Sequence, residues 1–148
     1  MNECKRIKAK ILLIEDNAAD IRLTKEVLQE SKIVMFLDVV RDGVEAVDYL
    51  KKRGKFSNTS KPNLILLDLN LPKRNGFEVL EIIKQDKELK RIPIVILTVS
   101  DAKEDLIKAY NLHANCYVVK PLEMKEFYKI INSIVNFWFT IAKHFEDE

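Results

Sequence analysis

Glu15 and Asp16 stand together at the end of the apolar run 10–14, and Asp68, Thr98 and Lys120 end the runs 64–67, 94–97 and 117–119. Adjacent acids at a strand end repel each other unless a cation or a lysine sits between them. Mg²⁺ takes hard oxygen ligands, usually one or two carboxylates completed by water and phosphate. Three carboxylates, a hydroxyl and an ammonium therefore suit a divalent cation plus a phosphoryl group. Taken alone, Asp68 could equally cap the loop after it. Its neighbours favour chemistry, because a carboxylate ending a hydrophobic strand has no packing value and is costly if buried unpaired.

Groups so far apart in sequence can act together only if a fold gathers them. Short apolar runs alternating with amphipathic stretches read as buried parallel strands separated by helices. Strands are expected at 10–14, 35–40, 63–68, 94–98 and 116–119. The first helix, Ala18 to Ser31, turns Ile21, Val27 and Leu28 inward and Asp20, Arg22, Lys25 and Glu26 outward. Asp42-Gly43 turns into a helix that packs Ala46, Val47 and Leu50 and stops near Gly54, before a polar surface loop to Asn63. Leu69 to Asn75 is a loop bent by Pro72, and Gly76 opens a helix with Val79, Leu80 and Ile83 inside. Asp101 with Glu104 is a candidate capping pair for a helix reaching Leu112, and one last, long helix runs from Glu123. Strict alternation predicts an α/β fold, a doubly wound five-stranded parallel sheet flanked by five helices with an extended C-terminal helix. Ligand chemistry in such sheets collects at the carboxyl ends of the strands. Residues 1–9 are expected to be a tail and 10–148 one domain.

Composition narrows the function. The chain of 148 residues leaves no room for a second catalytic or DNA-binding domain, and 47% hydrophobic with 32% charged residues is ordinary for a folded protein. A net charge of +2 sets up no field toward nucleic acid or anionic membrane, and the basic cluster Lys51, Lys52, Arg53 and Lys55 reads as a solvated helix end. No stretch is long enough for a membrane span and Met1 to Lys10 lacks a signal-peptide core, so a cytoplasmic location is expected. Cys4 and Cys116 have no metal spacing and read as free thiols.

The segments Ile14-Glu15-Asp16-Asn17, Leu67-Asp68-Leu69-Asn70-Leu71-Pro72 with Gly76, Leu97-Thr98, and Tyr117-Val118-Val119-Lys120-Pro121 resemble the receiver domain of two-component response regulators, a flavodoxin-like fold. The stretch Asn17-Ala18-Ala19-Asp20, with the long loop before the third strand, is similar to small regulators that serve phytochrome-type photoreceptor kinases. This resemblance implies that Asp68 is the nucleophile taking a phosphoryl group from a sensor histidine kinase. It implies Mg²⁺ (or Mn²⁺) held by Asp16, Asp68 and the backbone carbonyl of Asn70, with Glu15 acting through water. Lys120 and Thr98 would contact the phosphoryl oxygens, and Tyr117 would turn inward with Thr98 to carry the signal. Glu15 stands where many relatives have Asp, and Val99, where small residues are frequent, narrows access to the phosphoryl site.

Along the last helix Phe127, Ile131, Ile134, Trp138, Ile141 and Phe145 recur at alternating steps of four and three, a helix-packing seam. Ile130, Val135, Phe137, Phe139 and Ala142 widen it until the last turns are apolar nearly all round. Phe137, Trp138, Phe139 and Ile141, beyond the sheet's expected end, are the expected homodimer contact. A receiver without an output domain would act on an unknown downstream protein. Two rivals remain: an aspartate-nucleophile phosphatase, which would want an acid where Asn70 stands, and a phosphorylation-independent interaction module.

Overall fold

A computed structural model describes residues 9–31 and 35–141, with backbone alone at Met35, Thr140 and Ile141. Strands β1 (Ala9–Ile14), β2 (Met35–Val40), β3 (Leu64–Leu67), β4 (Ile94–Thr98) and β5 (Cys116–Val119) alternate with helices α1 (Ala18–Gln29), α2 (Gly43–Leu50), α3 (Gly76–Gln85), α4 (Lys103–Asn111) and α5 (Met124–Asn136). The strands are all parallel, in the order β2-β1-β3-β4-β5. This is the doubly wound sheet expected from the alternation of apolar runs with amphipathic helices.

Every side chain of β3 and β4 is buried, as strands covered on both faces require. Successive residues point to opposite faces and so build two cores. Ile11, Leu13, Leu64, Leu66, Val95 and Leu97 pack under α1 and α5. Leu12, Ile14, Ile65, Leu67, Ile94 and Ile96 pack under α2, α3 and α4. No apolar face of the three central strands is left for a ligand, which confines polar chemistry to the strand ends.

Local details depart from the sequence reading. β1 begins at Ala9, which is 1% exposed, so the expected tail loses its last residue to the sheet. Residues 1–8, with Cys4, lie outside the described residues, and Cys116 is a free thiol. α2 ends at Leu50 rather than near Gly54, and a short 3₁₀ turn, Gly54–Phe56, opens the polar loop. That turn brings the Phe56 ring to 5.4 Å from Tyr49. Asp101 and Glu104 do not cap α4: the cap residue is Ala102, without a side-chain bond. Just before it, Ser100 Oγ accepts from the Ala102 N–H at 3.3 Å and donates to Asp105 at 2.6 Å. The last helix is not uniform, since the α-helical bonding of α5 gives way to a wider π turn over Phe137–Ile141. Residues 142–148, which include Ala142 and Phe145, lie outside the described residues.

α3 begins with a full capping box in which Asn75 and Glu78 satisfy each other's backbone N–H groups. Its first residue, Gly76, lies so close to the end of β3 that an added Cβ would stand 2.6 Å from the Asp68 carbonyl oxygen and from Leu69 Cα. The Gly76 N–H also bonds Leu69 O at 3.0 Å, so neither partner can retreat without loosening the segment that carries Asp68. Gly76→Ala is therefore expected to lower stability by about 1–3 kcal/mol, as overpacking does elsewhere. Denaturant unfolding of the two proteins at equal pH checks it.

Candidate functional site

β1 and β3 lie side by side at the centre of the sheet, with Ile14 in register with Leu67. The next residue on each strand is therefore an acid placed beside the other: Glu15 and Asp68. The Asp68 N–H donates to Ile14 O at 3.0 Å and holds the turn-out of the strand in place. On the far side Thr98 pairs with Val119, and the Lys120 N–H donates to Thr98 O at 2.7 Å. α1 starts just above, its N-terminus closed by Asn17, whose side chain accepts from the Asp20 N–H at 3.0 Å.

Lys120 is the centre of the site. Its ammonium donates to Glu15 Oε1 at 2.5 Å, Asp20 Oδ2 at 2.8 Å and Asp68 Oδ2 at 3.1 Å. Its side chain is 5% exposed, so these bonds replace nearly all its water. Burial pulls the ammonium down, but the bonds to Asp20 and Glu15 outweigh it and leave Lys120 above its ordinary value. Glu15 fares worse: burial raises its carboxyl to about 7 despite the Lys120 bond that lowers it, and repulsion from Asp68 adds to the rise. The asymmetry has a simple cause. The ammonium has three carboxylates to itself, whereas each carboxylate has a third of one ammonium.

The ligand oxygens of Glu15, Asp16 and Asp68 lie within 4.8 Å of one another. All are hard carboxylate donors, Asp16 is exposed, and one ammonium leaves them under-neutralised, which is what a divalent cation suits. Asn70 closes the pocket from the loop side, its N–H donating to Asp68 Oδ1 at 3.1 Å. Thr98 is fully buried, and its Oγ1 accepts from the Ser100 N–H at 3.4 Å. Tyr117 donates from its hydroxyl to Ser100 O at 2.9 Å, so Ser100 links the two residues that the sequence reading paired as a switch. Val99 is 64% exposed between them.

The end of the last helix divides. Phe137 is exposed and meets the Trp138 ring edge-on at 5.5 Å. Phe139, expected at a dimer contact, is 3% exposed and sits in the core beneath α1 and α5. It continues the buried row Phe127, Ile131, Val135 at steps of four, so the row extends past α5 into the same core. The side chain of Ile141 is outside what the structure describes.

Sequence reasoning placed Asp20 on the outer face of α1, yet its carboxylate reaches Lys120. Helical spacing assigns a residue in the first turn to solvent. Only the strand end lying above that turn makes it a site residue. Ser100 and Asp105 were also missed, since a loop serine carries no periodic signal.

Comparison with known proteins agrees with this geometry. The sequence pattern of the response regulator receiver domain matches residues 11–132. Response regulator Rcp1 of Synechocystis sp. (strain ATCC 27184 / PCC 6803 / Kazusa) is 50% identical over 128 residues, 86% of this chain and 87% of that protein. The crystal structure of the phosphorylated cyanobacterial phytochrome response regulator RcpA superposes with a TM-score of 0.92 at 46% identity, covering 95% of this chain and 100% of that one. The Mn²⁺-bound form of Rcp1 gives 0.90 at 46% identity, covering 93% and 99%.

Glu15 yields a pH prediction. The unfolded chain releases this proton near the ordinary 4.5, whereas the folded chain holds it to about 7. Between those values the folded state binds more protons, so the contribution of Glu15 to stability falls as pH rises through that window. In metal-free protein, the thermal midpoint is expected to decline more steeply between pH 4.5 and 7 than in Glu15→Gln. Millimolar Mg²⁺ is expected to recover the loss at the upper end in the wild type, by binding the folded state alone.

Proposed function

Because this chain belongs to the response regulator receiver family, we propose that Asp68 accepts a phosphoryl group from the phosphohistidine of a sensor histidine kinase. The observation that carries the reading is the Lys120 ammonium at 3.1 Å from Asp68 Oδ2, beside a carboxylate cluster fit for a cation. One Asp68 oxygen attacks phosphorus in line, the P–N bond breaks, and the imidazole leaves with the bonding pair and takes up a proton. Lys120 stays against the phosphoryl oxygens as a point charge. Thr98 turns its hydroxyl from the Ser100 N–H toward another of those oxygens. Glu15, Asp16 and Asp68, with the Asn70 backbone carbonyl, would hold Mg²⁺ or Mn²⁺, which when bound neutralises charge on the phosphoryl group.

Asn70 argues against a phosphatase, since an amide cannot protonate a leaving group. A lasting aspartyl phosphate is favoured over turnover, and Val99, next after Thr98 in the chain, narrows access near the phosphoryl group. Signal output runs from Thr98 through Ser100 to Tyr117. The phosphodonor is a phytochrome-type photoreceptor kinase, a reading supported by the likeness to RcpA, which is itself a phytochrome response regulator. Among the described residues no helix is long and apolar enough to cross a membrane. The cytoplasm, where a kinase meets ATP, is the location this reading requires, and the output passes to a downstream protein by contact.

Homodimerisation through the final helix is part of the proposal. Exposed Phe137 and the partly buried Trp138 provide its anchor, and Leu106, Ile107 and Tyr110 on α4 with Val119 on β5 add exposed apolar surface. Phe139 is withdrawn from that interface because its own core holds it.

Native mass spectrometry with Mg²⁺ and acetyl phosphate tests both parts. The wild type is expected to gain a phosphate adduct that Asp68→Asn lacks, with dimer as the assembled form. Absence of an adduct in both proteins would turn the reading toward an interaction module, and steady release of phosphate from many esters would restore the phosphatase. Monomers at micromolar concentration, phosphorylated or not, would remove the dimer.

A further inference from the structure

Asp20 has a contact that the cation and phosphoryl chemistry leaves without a role. It lies outside the cluster formed by Glu15, Asp16 and Asp68. An acid in the first turn of α1 favours the helix dipole wherever its carboxylate points. That explains the residue type but not a 2.8 Å bond from Lys120.

A lysine ammonium has three N–H donors and no more. Glu15, Asp20 and Asp68 take all three, at 2.5, 2.8 and 3.1 Å. A phosphoryl oxygen can gain Lys120 fully only when one of these bonds is given up. Glu15 and Asp68 side chains are 3% and 8% exposed, and Asp68 carries the phosphoryl group itself. The Asp20 side chain is 21% exposed and regains water at least cost. We infer that Asp20 is a positioning residue that holds Lys120 at rest and competes with the phosphoryl group for it, so that it sets how readily the site takes an anionic phosphodonor. The inference rests on the receiver reading given above.

Removing the competitor frees an N–H and deletes one negative charge facing the incoming donor. Both effects act on the bound donor and on the transition state alike, so they lower the apparent KM and leave the maximal rate nearly unchanged. The test is phosphorylation by acetyl phosphate at saturating Mg²⁺, with KM and maximal rate resolved for wild type, Asp20→Asn, Asp20→Ala and Asp20→Glu, and thermal melts confirming the fold. Asp20→Asn and Asp20→Ala are expected to lower KM roughly threefold or more, and Asp20→Glu to return it toward the wild-type value. An unchanged or raised KM in whichever neutral variant folds, or loss of phosphorylation there, overturns the inference while the wild type's own adduct keeps the receiver reading intact. A wild type that takes no phosphate overturns both.

Discussion

One buried ammonium answers for more carboxylate than it can neutralise, and the behaviour of the site follows from that imbalance. Taking a charge out of water costs several kcal/mol even after the protein relaxes. Lys120 meets that cost for itself by bonding three carboxylates. Glu15 does not, which is why its carboxyl clings to a proton up to about 7. The folded chain thus carries a standing demand for positive charge at one edge, and a cation or a rearranged Lys120 relieves it. A site held this way is poised to change when charge arrives, because small displacements of one ammonium redistribute bonds among all its partners.

The sheet makes this crowding possible. Its central strands are apolar on both faces, so acids can stand only where the strands end. Parallel pairing brings those ends to one edge, and the order β2-β1-β3-β4-β5 sets the acids of β1 and β3 next to each other with Thr98 beyond. α1 then descends onto the same edge with its capped first turn, which is how Asp20 joins. On the other side the close passage of Gly76 against Asp68 O keeps the β3 loop from drifting outward.

From this edge a short line of hydrogen bonds leads to the surface. Thr98 Oγ1 accepts from the Ser100 N–H, Ser100 O accepts from the Tyr117 hydroxyl, and Ser100 Oγ donates to Asp105 in the first turn of α4. A single loop residue thus joins Thr98 at the strand end, the aromatic of β5 and the start of α4. Ala109 is the only fully buried residue of α4, so that helix has little apolar anchorage to resist a shift of Ser100. The exposed side chains Leu106, Ile107 and Tyr110 ride on it, so any movement there rearranges apolar surface.

Much of this was legible in the chain itself. The apolar runs announced the strands, most plainly β3 and β4, which are buried on both faces and apolar but for the Thr98 that ends β4. The polar residues ending four of the runs announced the chemistry, because nothing in packing calls for an acid or a lysine there. β2 fell where the sequence reading put it, and β4 likewise, since turn residues and Pro93 bound them sharply. Tertiary structure decided the rest. Asp20 points outward by helical count and inward by contact, because a helical period says which residues share a face and not which strand end lies over that face. Phe139 is buried for the same kind of reason: the step of four that continues Phe127, Ile131 and Val135 carries it into the core shared by α1, α5 and one face of the sheet. At the start of α4 the Ser100 hydroxyl bridges the Ala102 N–H and the Asp105 carboxylate, a pairing that exists only once the β4 loop has been folded against the helix. Local pattern determines elements and the identity of their polar ends, whereas the distances that turn those ends into one ammonium's shared partners exist only after the strands have been laid side by side.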